Sequence, residues 1–533
     1  MDQFDVPISV YMRHLFLDLR GPTFLIMMTI FIAFRKITVT ALETKSSEIF
    51  LNVSVIFLLT LQLFYATVFL ILPQYYEPSA DPTIVVTALN NLSGMPPHPR
   101  WERSQGSYGL MYGPFLNDVV GIPLLFSKTV LAAKLGQGLA CFAAVGLLVA
   151  IARTSVASDR GRLLSFYLLC FTAEAFYGFI SKSDPFLFLF VATAALIAAK
   201  LRGIAAVSAI GFLAALAFGM KAHAVAYFAP LIAVQCFVEP GVWRRAPALI
   251  LAALLTFLFG VALTFHFDWG RFSDWLHYFL MAGSVGVVPS QLFFENIPYA
   301  IVLALPFALR IAELPRERRA GWIGALTITA ISVALVCFIG AAPGAGPHHL
   351  APFIPVWLQM CVSLPGKTSE RASARFLLPV ALAVAVAPAA LLGKEIVDMW
   401  HGRELARAKL AEAASLHHAY PSAEFGPTDS AHLSDMSARV GAALAGARFR
   451  FDIGGWSDLN AAGVMPQDEP LLSNCTIPYW VLPAQGRPFS WINYFTRKPA
   501  FPMADQQRFV ETHRIVESRR YFSVWRCVGS KPK

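Results

Sequence analysis

The chain of 533 residues is 56% hydrophobic and only 14% charged, with a mean hydropathy of +0.56, which excludes an ordinary soluble globular protein. Its net charge of +10 does not point to nucleic acid, because Lys and Arg sit in short clusters between apolar runs, as cytoplasmic anchors do. The composition is that of a polytopic membrane protein.

In chain order, the first apolar run, "GPTFLIMMTIFIAF", follows about twenty mixed residues and is closed by Arg35 and Lys36 without a small-residue cleavage site. It is short for a span and reads as an interfacial or re-entrant helix, so residues 1–48 are expected to form a cytoplasmic or interfacial segment. Apolar segments then recur at 49–73, 129–152, 163–180, 185–199, 203–219, 222–239, 246–267, 294–312, 320–342, 349–364 and 376–392, about eleven spans. With the N-terminus inside, the clusters Arg35/Lys36, Arg153/Arg160/Arg162, Lys200/Arg202, Arg244/Arg245, Arg310/Arg316/Arg318/Arg319 and Lys367/Arg371/Arg375 share one side, which is the positive-inside pattern.

The other side receives a first loop over 74–127, short tips at "SKSDP", "GMKAHA" and "GAGPHHLAP", a middle loop around "HFDWGRFSDWLHYF", and everything from 393 to 533. In the first loop "ADPTIVVTALNNLSG" predicts a short helix on the membrane surface. Asp81 is its N-cap, Pro82 opens it, Ile84, Val85, Ala88, Leu89 and Leu92 form one apolar stripe, and Gly94 ends it. The tail opens with a charged helical pattern from 393 and continues through strand-like "RFRFDI", "PYWVLP" and "YFSVWRCV", a small α/β domain. Five of the seven cysteines lie in apolar runs as packing residues; Cys475 and Cys527 either pair or stay free thiols. No repeat or zinc spacing is present.

The outer side gathers the carboxylates Glu77, Asp81, Asp118 and Asp184, the cations Arg100, Arg103, Lys182 and Lys221, and His98, His223, His348 and His349. Carboxylates facing cations at a bilayer surface can activate a hydroxyl while neutralising the phosphate of a membrane-held substrate. Each has a plainer reading. Asp81 and Asp184 can be helix caps, with Asp184 capping a helix that starts at Pro185. Lys221 resists that reading, because an idle charge between two apolar segments is costly.

In this order, "ADPTIVVTALNNLSG", "YGLMYGPF", "ISKSDPFLFLF", "LAFGMKAHAVAYFAP" and "HHLAPFIP" resemble the GT-C superfamily of integral-membrane glycosyltransferases, over most of the chain up to about residue 390. The resemblance implies an all-α transmembrane domain over 49–392 with interfacial helices in its first outer loop, followed by a C-terminal α/β extracytoplasmic domain over 393–533. It implies transfer of one sugar from a polyprenyl-phosphate donor to a hydroxyl of an envelope glycan, glycolipid or protein, on the outer face of a bacterial inner membrane. Asp81 then takes the role of general base. Lys221, His223, His349, His348, Lys182 and Arg103 contact the donor phosphate, and Glu77, Asp184 and Tyr112 support the site. Pro82 stands where many members carry a polar residue, and no Asp-X-Asp pair follows. No metal ligand is therefore named, and a divalent cation stays open. A secondary transporter is the main alternative, but two similar halves, its usual mark, are missing; a non-catalytic envelope-assembly protein is another.

Overall fold

The computed structural model describes residues 66–73, 80–95, 112–154, 157–175, 182–238, 242–282, 287–342, 345–364, 397–429, 437–450, 475–492 and 499–529, with a few isolated positions besides. The first apolar run, the span expected at 376–392, Glu77 and Arg103 lie outside the described residues.

Helices α1 (Ala80–Leu92) and α2 (Pro114–Phe126) come from the first loop. The bundle follows as α3 (Val130–Ala152), α4 (Ala157–Ala175), α5 (Asp184–Lys200), α6 (Gly203–Phe218), α7 (Val225–Phe237), α8 (Ala246–Thr264), α9 (Trp269–Ala282), α10 (Ile297–Ala312), α11 (Arg316–Ile339) and α12 (Phe353–Ser363). Sequence dictates several of the boundaries. The Thr129 hydroxyl accepts from the Ala132 N–H at 3.2 Å and so caps α3. Pro sits in the first turn of α2, α5, α8 and α10, where its missing N–H costs nothing.

Val130–Ala152, Ala246–Thr264, Pro289–Ala312 and Arg316–Ile339 are each long and apolar enough to cross a membrane. On α8, Ile250, Leu251, Leu254, Leu255, Leu258 and Phe259 are all exposed, an apolar surface of the kind that lipid covers. The protein is an integral membrane protein. α6 and α7 are shorter apolar helices of 16 and 13 residues. The middle loop expected around "HFDWGRFSDWLHYF" is instead largely helical as α9, because its aromatic residues recur at helical spacing and bury Trp275 and Tyr278 on one face.

Residues 397–419 form a helix, α13, as the charged pattern from 393 predicts. Beyond it stand α14 (Arg439–Leu444), α15 (Met503–Thr512) and a four-stranded sheet of β1 (Ala423–Phe425), β2 (Tyr479–Pro483), β3 (His513–Ser518) and β4 (Phe522–Cys527). The strand order is β1-β2-β4-β3, with β1 parallel to β2 and β4 antiparallel to both its neighbours. "PYWVLP" and "YFSVWRCV" supply strands as expected, whereas residues 448–450 of "RFRFDI" are not strand. Their Phe449 packs edge-on against Phe425 instead. Cys475 and Cys527 form a disulfide with Cα atoms 5.6 Å apart, tying the approach to β2 to the end of β4.

His513, at the start of β3, is buried and stacks on Phe509 at 4.1 Å, with its Nδ1 at 2.9 Å from the Thr512 hydroxyl. Burial lowers its pKa from 6.5 to about 4. The folded state therefore takes this proton only below about 4, while the unfolded chain takes it below 6.5. Stability from this site is complete above pH 6.5 and is lost as pH falls toward 4. Thermal unfolding of the full chain at pH 7 and pH 4.5 is expected to show a midpoint gap that narrows in His513→Phe; an unchanged gap would exclude this residue as its source.

Candidate active site

The site begins with α1. The helix forms where "ADPTIVVTALNNL" predicts it, and Gly94 follows it in the left-handed region at φ +83°, a conformation that disfavours residues with a Cβ. Its setting differs from the expectation. A helix lying on a membrane surface would keep a polar face open, yet Thr83, Thr87 and Asn90 are buried along with Ile84, Val85, Val86, Ala88 and Leu89. Leu92, expected in the apolar stripe, is 41% exposed. The cover comes from two sides: α1 packs on α2 and on α14 of the C-terminal region, and the Asn90 amide donates to the Phe449 carbonyl at 3.0 Å. Phe425, Phe449, Val440 and Phe522 belong to the same continuous apolar core as Val86 and Leu89. Asp81 is the second residue of α1 rather than its N-cap, because the helix starts at Ala80 instead of Pro82; its side chain lies outside what the structure describes.

Three tips that are far apart in sequence meet one another. Lys221, in the turn between α6 and α7, donates to both carboxylate oxygens of Asp184 at 2.9 and 3.1 Å. Both side chains are buried, 8% and 0% exposed, so neither charge can rely on water. This corrects the reading of Asp184 as a cap. It lies inside α5, Ser183 is the N-cap residue, and the carboxylate serves Lys221. Lys182 is buried beside it and lies within electrostatic reach of Asp184.

His223 follows on a short 3-10 turn (Ala222–Ala224), and its ring lies 5.3 Å from that of His349. His348 and His349 sit on a second such turn (Pro347–Leu350), with ring centroids 4.4 Å apart. Sequence reasoning missed Tyr227, which looks like one more aromatic in an apolar helix. Its hydroxyl donates to the His349 carbonyl at 2.7 Å and fixes the second turn against the first. Ser183 was missed as well. The Ser183 hydroxyl, His223 Nε2 and His349 Nδ1 are buried without a hydrogen-bond partner among the described residues. Three such atoms near one ion pair make a buried polar cluster with hydrogen-bonding capacity to spare.

Tyr112 reaches the same place through backbone contact. The Gly113 N–H donates to the Met220 carbonyl at 2.8 Å and the Phe115 N–H to the Gly219 carbonyl at 3.1 Å. This docks the Tyr-Gly-Pro turn on the Gly-Met-Lys turn and brings the Tyr112 ring to 5.3 Å from Lys221 Nζ. A Cβ at Gly113 would run into the Gly219 carbonyl oxygen, which is backbone and cannot rotate away. Gly113→Ala is therefore expected to separate the two turns and lower folded yield, read by size-exclusion recovery from detergent, whereas Gly146→Ala, in open space on α3, is expected to leave it unchanged.

Among the described residues, no group of three or more His, Cys, Asp or Glu is arranged to hold a metal ion. The sequence-predicted residues Asp184, Lys182, Lys221, His223, His348, His349 and Tyr112 thus fall in one region, while Glu77 and Arg103 lie outside the described residues.

Among solved structures, the chain is similar to ArnT from Cupriavidus metallidurans, both bound to undecaprenyl phosphate and in the apo state. Each comparison gives a TM-score of 0.52 at 14% identity, covering 90% of this chain and 99% of the other. The chain has an ArnT-like fold. No family model matches the sequence, and no curated protein matches it.

Proposed function

We propose that the protein is a glycosyltransferase that moves one sugar from a polyprenyl-phosphate donor to a hydroxyl of an envelope glycan, glycolipid or protein. The observation that carries this reading is the buried polar cluster at the Asp184–Lys221 pair, with unsatisfied atoms on Ser183, His223 and His349, in a fold similar to one solved with undecaprenyl phosphate. A buried cation with unfilled polar neighbours suits a phosphate headgroup better than it suits an apolar core. The bundle supplies a lipid-facing surface on which a polyprenyl chain can lie.

The roles follow from chemistry. Asp81 accepts the proton of the acceptor hydroxyl as that oxygen forms its bond to the anomeric carbon. The bond from that carbon to the phosphate oxygen breaks with its electron pair, and the polyprenyl phosphate leaves. Lys221, Lys182, Arg103, His223, His348 and His349 stabilise the leaving phosphate, and a single displacement inverts the anomeric centre. Glu77, Asp184 and Tyr112 hold these groups; Asp184 in particular keeps Lys221 charged and aimed. The reading places 1–48 on the cytoplasmic or interfacial side, the transferase body at 49–392, and 393–533 on the outer face of the inner membrane, where the disulfide is chemically at home. Incubating the purified chain with a radiolabelled polyprenyl-phosphate hexose or pentose and an envelope lipid extract tests it: label moving to the acceptor supports the reading, and label staying on the donor with every extract and sugar refutes it.

A further inference from the structure

The carboxylate of Asp118 joins three separate elements. On α2, its Oδ1 accepts from the Asn91 amide at the C-terminal end of α1 at 2.9 Å. Its Oδ2 lies 2.9 Å from His266 Nε2, in the turn after α8. That turn is unusual. His266 and Phe267 both lie in the left-handed region at φ 57°, which costs energy for side chains with a Cβ and persists only where the surroundings enforce it. The turn is fixed from within, because the Phe267 N–H donates to the Ala262 carbonyl at 2.7 Å and Phe265 packs on Trp275. The fixed turn delivers His266 to Asp118.

The contact is half-open, with the His266 side chain 51% exposed and that of Asp118 25% exposed. A contact in such a setting contributes little to overall stability. Its consequence is register rather than stability. Asn91 is ten residues from Asp81, so a helix anchored there holds Asp81 about 15 Å away on a rigid arm. An ångström of displacement at a general base costs about a hundredfold in rate.

We propose that Asp118 is a positioning residue that sets the register of α1, and thereby of Asp81, by taking Asn91 on one oxygen and His266 on the other. Its effect on turnover rests on the transferase reading above; its effect on α1 does not. The full chain in detergent is compared as wild type, Asp118→Ala, Asp118→Asn, Asn91→Ala and Asn91→Ala/Asp118→Ala, by hydrogen exchange over residues 83–92 and by transfer kinetics. Exchange is expected to rise about tenfold in Asp118→Ala and no further in the double variant, because both substitutions cut one link. Transfer kcat is expected to fall ten- to a hundredfold with donor KM within about threefold, and Asp118→Asn, which retains an oxygen for Asn91, is expected to recover most of both. Unchanged exchange in Asp118→Ala, or additive effects of the two single variants, overturns the proposal. If the wild type transfers nothing, the transferase reading has failed and the exchange data alone decide the role of Asp118.

Discussion

Asp81→Asn is expected to lower turnover by about a thousandfold while leaving donor affinity and the folded state in place. The amide has the size of the carboxylate but cannot take a proton, so only the step that needs a base suffers. Asp81 lies in the second position of α1, where a small polar residue is well accommodated at a helix start. The phosphate contacts assigned to Lys221, His223 and His349 are untouched by the change. The measurement is a kcat and KM comparison in the transfer assay, with thermal unfolding as the control for folding. A variant that keeps more than a tenth of wild-type kcat would remove Asp81 from the chemistry.

The second large effect concerns the buried ion pair. Asp184→Ala leaves the Lys221 ammonium buried without its counter-ion, at a cost of about 3–5 kcal/mol. The expected result is a steep fall in unfolding temperature in detergent and poor recovery of folded protein. Asp184→Leu combined with Lys221→Met removes both charges at similar volume, and replacing a whole buried pair is often neutral. The double variant is thus expected to regain most of the stability and none of the activity. That split would separate a functional pair from a structural one. Equal instability of the single and double variants would show that packing, rather than unpaired charge, controls the site; full activity in the double variant would show that the pair has no part in transfer.

Much of this was legible in the sequence, for identifiable reasons. The α1 helix could be read because Asp81-Pro82 and Gly94 bracket it by local backbone chemistry, although the helix takes in Ala80 and Asp81 ahead of Pro82. The meeting of "SKSDP", "GMKAHA" and "GAGPHHLAP" followed from alternating spans, which put all three tips on one side. What escaped was tertiary. Asp184 looked like a cap because a cap is a local explanation, while its partner Lys221 lies 37 residues away. Burial of the polar face of α1 depends on Phe449 and α14, more than 350 residues further along, and no periodicity reports that. Tyr227 escaped because hydrogen bonding by a tyrosine on an apolar helix leaves no mark in composition.

Whether a polyprenyl phosphate binds at Lys221 is decided by native mass spectrometry of the purified chain with undecaprenyl phosphate. The comparison is between the wild type and Asp184→Asn/Lys221→Gln, which removes both charges but keeps an amide pair in place. The account predicts a one-to-one lipid adduct on the wild type that is at least tenfold weaker on the variant. Equal binding to both, or no binding to the wild type, would contradict it.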